Sequence, residues 1–287
     1  MPELPDLVYI KKYLDRSVVG RTITAVQTKQ PIVVRTMTKE PIERALTGQE
    51  IRKIGIHGPF LRLDTKGENV LVINLMLAGR LQHQLAREKP EGHLCLTLGL
   101  DDRSSLNLCD EKKMAKVYCA EQEQVGTIPK YATQGVDILS SSFTEAAFRA
   151  IAAANNRKQV RVFINDHTAL SSIGNAYADE ILFAARLHPK TFVARLTPEE
   201  IGNLHRAIHE VITWGIRCVE EAGAPIHKKV RDHMKVRNRK GEPCPRCGTT
   251  IRREGVRGHD VYFCPSCQPP SRRLFLDWSN VPGSRSA

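Results

Sequence analysis

Four of the eight cysteines fall in a pattern that could hold a metal. Cys244-Pro-Arg-Cys247 is followed by sixteen residues and then by Cys264-Pro-Ser-Cys267. Each Cys-x-x-Cys turn aims two thiolates at one point, and two such turns give the tetrahedral set that Zn2+ prefers. Four thiolates leave no open coordination position, so one structural Zn2+ is expected rather than a catalytic one. A pair of disulfides is the alternative, but nothing in the chain suggests secretion. Gly248 and Gly258 suit tight turns, and the hairpin between the knuckles carries Arg252, Arg253, Arg257 and His259. A small rigid hairpin with a cationic tip suits contact with a phosphate backbone.

The charge balance agrees. The 287 residues carry a net charge of +12, and between Ile226 and Arg257 eleven Lys and Arg face three acidic residues. Such a block reads as a phosphate-facing surface or a flexible basic tail. The other cysteines, Cys95, Cys109, Cys119 and Cys218, sit in apolar or mixed sequence and read as small buried hydrophobes. With 41% hydrophobic residues the chain can build a core, and its length suggests about two domains. No run of eighteen apolar residues predicts a membrane span. The opening Met-Pro-Glu-Leu-Pro-Asp does not read as a signal peptide, so a cytoplasmic location is expected.

Residues up to about 130 read as β-rich. Ile23 to Val26, Val70 to Leu77, His93 to Leu100 and Leu106 to Cys109 are short apolar or alternating runs, separated by turns such as Lys66-Gly67 and Asp101-Asp102. Leu7 to Leu14 reads as one helix beside them. From about 140 the pattern becomes helical. Ser142-Phe-Thr-Glu145 reads as a capping box ahead of a helix to Ala154, with further helices over Gln159 to Ile164 and Tyr177 to Arg186. Thr197-Pro-Glu-Glu200 caps a long helix that Gly223 ends. The expected fold class is α+β. An N-terminal β-sandwich over 1–130 precedes a helical domain over 131–227, a basic linker and finger over 228–270, and a tail over 271–287.

Three motifs then coincide in order: Pro2-Glu3-Leu4-Pro5, the turn Ser172-Ile-Gly-Asn-Ala-Tyr177 with Glu180, and the finger ending Cys264-Pro-Ser-Cys267-Gln268. Together they resemble the formamidopyrimidine-DNA glycosylase and endonuclease VIII family of base-excision repair enzymes, over about residues 2 to 270. The resemblance implies a β-sandwich, a helix-two-turn-helix domain and a zinc finger clamped on double-stranded DNA that holds a damaged base or abasic site. It also implies a monomer in a bacterial cytoplasm, associated with the nucleoid. Its nucleophile is the secondary amine of an N-terminal proline, here Pro2 once Met1 is removed, with Glu3 as general acid/base. An α-amino group titrates near pH 8, so an appreciable part is unprotonated at neutral pH. A retained Met1 would leave that nitrogen as an amide.

Several working positions depart from the family. Gly58-Pro59-Phe60-Leu61 has proline where the resemblance implies a phosphate-contacting lysine, and His57 or Lys53 is the nearby substitute. The residues that fill the stack behind a flipped nucleotide fall on Leu77, Lys112 and Met114; the other reading of Leu77 is core. Asn175 matches the phosphate-binding asparagine, Arg161 falls near a usual lysine, and His259 stands where the finger usually has arginine, with Arg257 two residues away. Asp6 replaces the family's usual Glu. The short stretch Gly223 to Pro243 argues against strict 8-oxoguanine specificity. The implied activity is a bifunctional glycosylase and abasic-site lyase for oxidised or ring-opened bases. A damage-binding relative with attenuated chemistry is the alternative. A general zinc-ribbon nucleic-acid binder explains the finger but not Pro2-Glu3.

Overall fold

The first helix, α1 (Leu4–Ser17), starts with Pro5 in its opening turn and buries Leu7, Ile10 and Leu14, spaced three and four residues apart. It lies against the long helix of the second domain and against one strand of the first. The structure, a computed structural model, describes residues 2–85 and 88–270. Met1, whose removal the proline chemistry requires, and the expected tail over 271–287 lie outside the described residues.

The strands are β1 (Ile23–Thr28), β2 (Val34–Thr36), β3 (Ile51–His57), β4 (Phe60–Thr65), β5 (Asn69–Asn74), β6 (Arg80–Gln84), β7 (Leu94–Leu100), β8 (Ser105–Cys109) and β9 (Lys116–Glu121), with a one-turn helix α2 (Ile42–Leu46) after β2. They form a four-stranded sheet, β1-β7-β8-β6, and a five-stranded sheet, β2-β9-β5-β4-β3. Inward residues of both, such as Leu61, Leu71 and Val117 against Leu81, Leu96 and Leu106, share one core with α1. Central strand β5 is apolar on both faces because Val70 and Val72 also pack outward, against Phe60, Val125 and Ile128. That two-sided burial explains its unalternated Val-Leu-Val-Ile run.

Register places two loops together. The β5–β6 and β8–β9 connections each cross from one sheet to the other, and the pairs Asn74↔Lys116 and Arg80↔Cys109 bring both crossings to the same end of the sandwich.

The helical domain holds α3 (Glu145–Ala154), α4 (Val160–Ile164), α5 (Asn175–Ala184) and α6 (Pro198–Ala222). Thr197 and Glu200 make the expected reciprocal cap of α6, and Gly223 closes it in the left-handed region. The expected Ser142 cap of α3 is corrected to Thr144, whose Oγ1 accepts from the Ala147 N–H at 3.2 Å. Ser142 stands two residues before that cap, and its hydroxyl bonds that of Ser140.

Residues 223–243 are neither a flexible tail nor a free linker. Ile226 joins the sandwich core, Met234 the helical core, and Val236 a small cluster with Phe183 of α5 and the finger residues Ile251 and Tyr262. Glu180, buried in α5, accepts the N–H groups of Lys235, Val236 and Arg237 at 3.0, 2.9 and 2.9 Å. Burial pushes its carboxyl above the usual range, and those three donors oppose the shift. The basic block is therefore a strap across both domains. It ends in the finger hairpin, β10 (Arg252–Val256) and β11 (His259–Phe263).

Candidate active site and nucleic-acid interface

Pro2 and Glu3 are buried where the chain enters α1. The Glu3 carboxylate crosses to the helical domain, where Oε1 accepts the Ala176 N–H and Oε2 the Tyr177 N–H, both at 3.0 Å. These are among the first amides of α5, which have no partner within the helix, and the positive end of the helix dipole favours a carboxylate there. The approach depends on Gly174: a Cβ on it would lie 2.3 Å from the Glu3 carboxyl carbon. Ser172, held at φ 68°, carries the adjoining turn, and its carbonyl accepts the Leu4 N–H. Asp6, buried one turn into α1, accepts the Glu3 N–H at 2.8 Å and pairs with Arg231 of the strap through both oxygens, at 2.9 and 2.6 Å.

A cleft of roughly 590 Å³ opens beside Gly174, between α4, the start of α5 and the finger hairpin. Lys158, Arg161, Asn175, Arg257 and His259 are among its lining residues, so three stretches far apart in sequence meet there. Arg257 and Gly258 form the hairpin's two-residue turn with φ 47° and 79°, which exposes the Arg257 and His259 side chains at the tip. Arg161, expected near a usual lysine, lines this cleft from within the fold. It is buried, and its guanidinium bonds Asp179 at 2.9 Å and the Asn175 carbonyl and side-chain oxygens at 3.2 and 3.0 Å. Arg161 thus fixes the orientation of Asn175.

At the end of the sandwich, Leu77 stands at the apex of the β5–β6 loop and is 54% exposed, so it is not core. The adjacent β8–β9 loop carries exposed Lys112 and half-buried Met114. Buried Asp110 shapes that loop by accepting the N–H groups of Lys112, Met114 and Ala115 at 2.9, 2.8 and 2.7 Å. His57 is committed elsewhere: Nε2 bonds the Tyr131 carbonyl oxygen at 2.8 Å, and the ring stacks on Tyr131 at 4.2 Å. His57, offered with Lys53 as a substitute for the hairpin lysine, thus has Nε2 and a ring face engaged by Tyr131, while Lys53 lies exposed on β3. The turn itself, Gly58-Pro59, offers no cation.

The four finger thiols gather as expected, with all Sγ atoms of Cys244, Cys247, Cys264 and Cys267 within 4.8 Å of one another. The Cys244–Cys267 and Cys247–Cys264 separations are 3.9 and 3.5 Å. A zinc tetrahedron with Zn–S bonds of about 2.3 Å has edges of about 3.8 Å, so the set fits one structural zinc. Fully buried Gln268 accepts the Cys264 N–H and donates to the Leu187 carbonyl, which docks the knuckle on the helical domain. Of the remaining cysteines, Cys218 is half-buried and the others are buried. Burial pushes the Cys109 and Cys119 thiols up to about 11, as suits inert core residues.

The sequence matches the formamidopyrimidine-DNA glycosylase N-terminal domain over residues 1–117 and the H2TH domain of the same enzymes over 134–224. It matches the zinc finger found in FPG and IleRS over 241–270. Formamidopyrimidine-DNA glycosylase from Chloroflexus aurantiacus is 31% identical over 277 residues, covering 93% of this chain and 98% of the relative. The chain belongs to the formamidopyrimidine-DNA glycosylase family. The enzyme of that name from Symbiobacterium thermophilum is 32% identical over 279 residues, covering 94% and 90%. Among solved structures, Lactococcus lactis Fpg bound to DNA containing an oxidised pyrimidine superimposes with a TM-score of 0.85 at 25% identity, covering 94% of this chain and all of the other. The same protein with DNA containing an abasic site gives the same score and identity.

The three matched regions coincide with the sandwich, the helical domain and the finger, each of which contributes residues described above. Sequence reasoning missed Gly174 as the residue that admits Glu3, Asp110 as the organiser of the Lys112 loop, and Arg231 as the partner of Asp6. The motif around Gly174 signalled a turn. Asp110 and Arg231 carried no signal, because each acts through contacts distant in sequence or through backbone amides.

Proposed function

We propose that this family member is a bifunctional DNA glycosylase and abasic-site lyase, acting as a monomer on double-stranded DNA with an oxidised or ring-opened base. The supporting observation is the seat of Glu3: a carboxylate next to Pro2, fixed on the first amides of α5 beside a cleft edged by Asn175, Arg257 and His259. Once Met1 is removed, the Pro2 nitrogen attacks C1′ of the damaged nucleoside. The C1′–base bond breaks and the base leaves with a proton; the C1′–O4′ bond then opens, O4′ takes a proton, and the nitrogen lone pair forms an iminium that links Pro2 to C1′. Glu3 moves protons at the sugar ring oxygen. The iminium acidifies C2′–H; loss of that proton expels the 3′ phosphate, and a second elimination expels the 5′ phosphate. Leu77 fills the space behind the flipped nucleotide, with Lys112 and Met114 beside it. Asn175, Arg257 and His259 hold the backbone, and Arg161 supports Asn175 from behind.

A second reading, a damage binder with attenuated excision, rests on one observation. The β3–β4 turn has Pro59 and no lysine, and His57 is engaged by Tyr131. Abasic-site DNA incubated with protein and borohydride separates the two. The lyase reading expects a covalent adduct that disappears in Pro2→Gly and in protein that retains Met1. Binding without adduct or strand cleavage supports the second reading.

A further inference from the structure

Glu3 is held at both ends, and the two restraints meet on one residue of the strap. Its carboxylate is fixed by the Tyr177 N–H at 3.0 Å. Its own N–H is fixed by Asp6 at 2.8 Å. Arg231 joins these restraints into a ring: its guanidinium forks onto both Asp6 oxygens and lies over the Tyr177 ring, 5.5 Å from the centroid. The Tyr177 hydroxyl in turn bonds His233 Nε2 at 3.1 Å, two residues along the same strap. Asp6 is buried and Arg231 largely so, so solvent does little to screen the pair.

We propose that Arg231 is a positioning residue for the acid/base Glu3, coupling the backbone of the chain start to the first turn of α5 through Asp6 and Tyr177. The proposal rests on the function assigned above to Glu3. The geometry favours it over a general stabilising pair, because every link in the ring ends on Glu3 or on a residue bonded to it. A lysine at 231 would keep the charge but not the planar fork that engages both oxygens while stacking on an aromatic face. Arg231 is long enough to reach Asp6 across the domain boundary with both terminal nitrogens.

The test measures borohydride trapping and strand cleavage of abasic-site DNA under single-turnover conditions, alongside DNA affinity. Arg231→Gln is expected to lower the rate at saturating DNA by between about ten- and a hundredfold, as a misplacement of the order of 1 Å does, with affinity changed less than about twofold. Arg231→Lys should recover part of the rate. Asp6→Asn should lose as much as Arg231→Gln, and the double variant no more than either, since both break one ring. Arg231→Lys, which keeps the buried charge compensated, serves if Arg231→Gln fails to fold, and it must then show the rate loss at unchanged affinity. Wild-type rates in a folded Arg231 variant, or a loss confined to affinity, overturn the proposal alone. Wild-type protein that forms no adduct overturns the proline chemistry and this proposal with it.

Discussion

The carboxyl carbon of Glu3 lies 2.3 Å from the place where a side chain on Gly174 would begin. The two residues belong to different domains, so this absence of a Cβ lets the chain start dock on the first amides of α5. Gly174→Ala must push the carboxylate out of its seat. Trapping of abasic-site DNA is expected to fall by about a hundredfold. DNA affinity should change little, because the hairpin tip that carries Arg257 and His259 is untouched. A variant that reacts at the wild-type rate would show that Glu3 need not sit there.

The exposed Leu77 and its neighbour loop make a different prediction. A wedge stabilises a flipped nucleotide in a duplex and has nothing to do in a single strand, where little stacking opposes extrusion. Leu77→Ala should slow excision from duplex DNA by about tenfold or more, since unstacking costs a few kcal/mol per step. Lyase activity on a single-stranded abasic site should persist. Equal losses on both substrates would place the role of Leu77 elsewhere.

The finger's small core depends on its metal. Cys244, Cys264, Ile251 and Tyr262 pack with Phe183 of α5, and a zinc held by the four cysteines would tie this cluster together. Cys247→Ser, or a strong chelator, should release one zinc per chain and abolish tight DNA binding. The sandwich, with its separate core, should remain folded by circular dichroism. A finer version targets the tip alone. Arg257→Ala should keep the zinc and flatten the slope of log affinity against log salt by about one, as loss of one phosphate contact does.

Much of this arrangement was legible in the sequence, for identifiable reasons. The zinc set and the cap of α6 are local: ligand spacing and the Thr197-Pro-Glu-Glu200 pattern specify them without distant partners. β2, β3, β4, β6 and β9 were not singled out. β5 read as one long run to Leu77, because its two-sided burial erases the alternation that marks a strand and its end. The Ser142 cap failed because Thr144, two residues on, offers the same hydroxyl chemistry where α3 begins. Arg161 and His57 have the residue types of surface contacts, yet both are engaged by neighbours that sequence spacing does not reveal, Asp179 and Tyr131. The strap shows the same limit. Its charge density left open a phosphate-facing surface or a flexible tail, and Glu180, Asp6 and Asp179 fix it in place.

Acid should loosen the seat of Glu3 before it unfolds the whole chain. His167 Nδ1 accepts the Ser172 N–H at 3.1 Å, and His188 Nδ1 accepts the Lys190 N–H at 3.2 Å. Both bonds need an unprotonated nitrogen, and burial lowers the pKa of both histidines from the ordinary 6.5. The unfolded chain therefore binds protons first. The stability that neutral histidines confer is fully present above about pH 6.5 and is lost as pH falls through their depressed folded values. The melting temperature should be flat near neutrality and decline below about pH 6.5. His167→Asn, whose amide oxygen can accept the same N–H, should soften the decline. Because Ser172 also receives the Leu4 N–H, amide exchange at Leu4 and Ser172 should quicken over the same range, ahead of amides in the sandwich core. Exchange that stays uniform across both domains down to the unfolding transition would count against a local release.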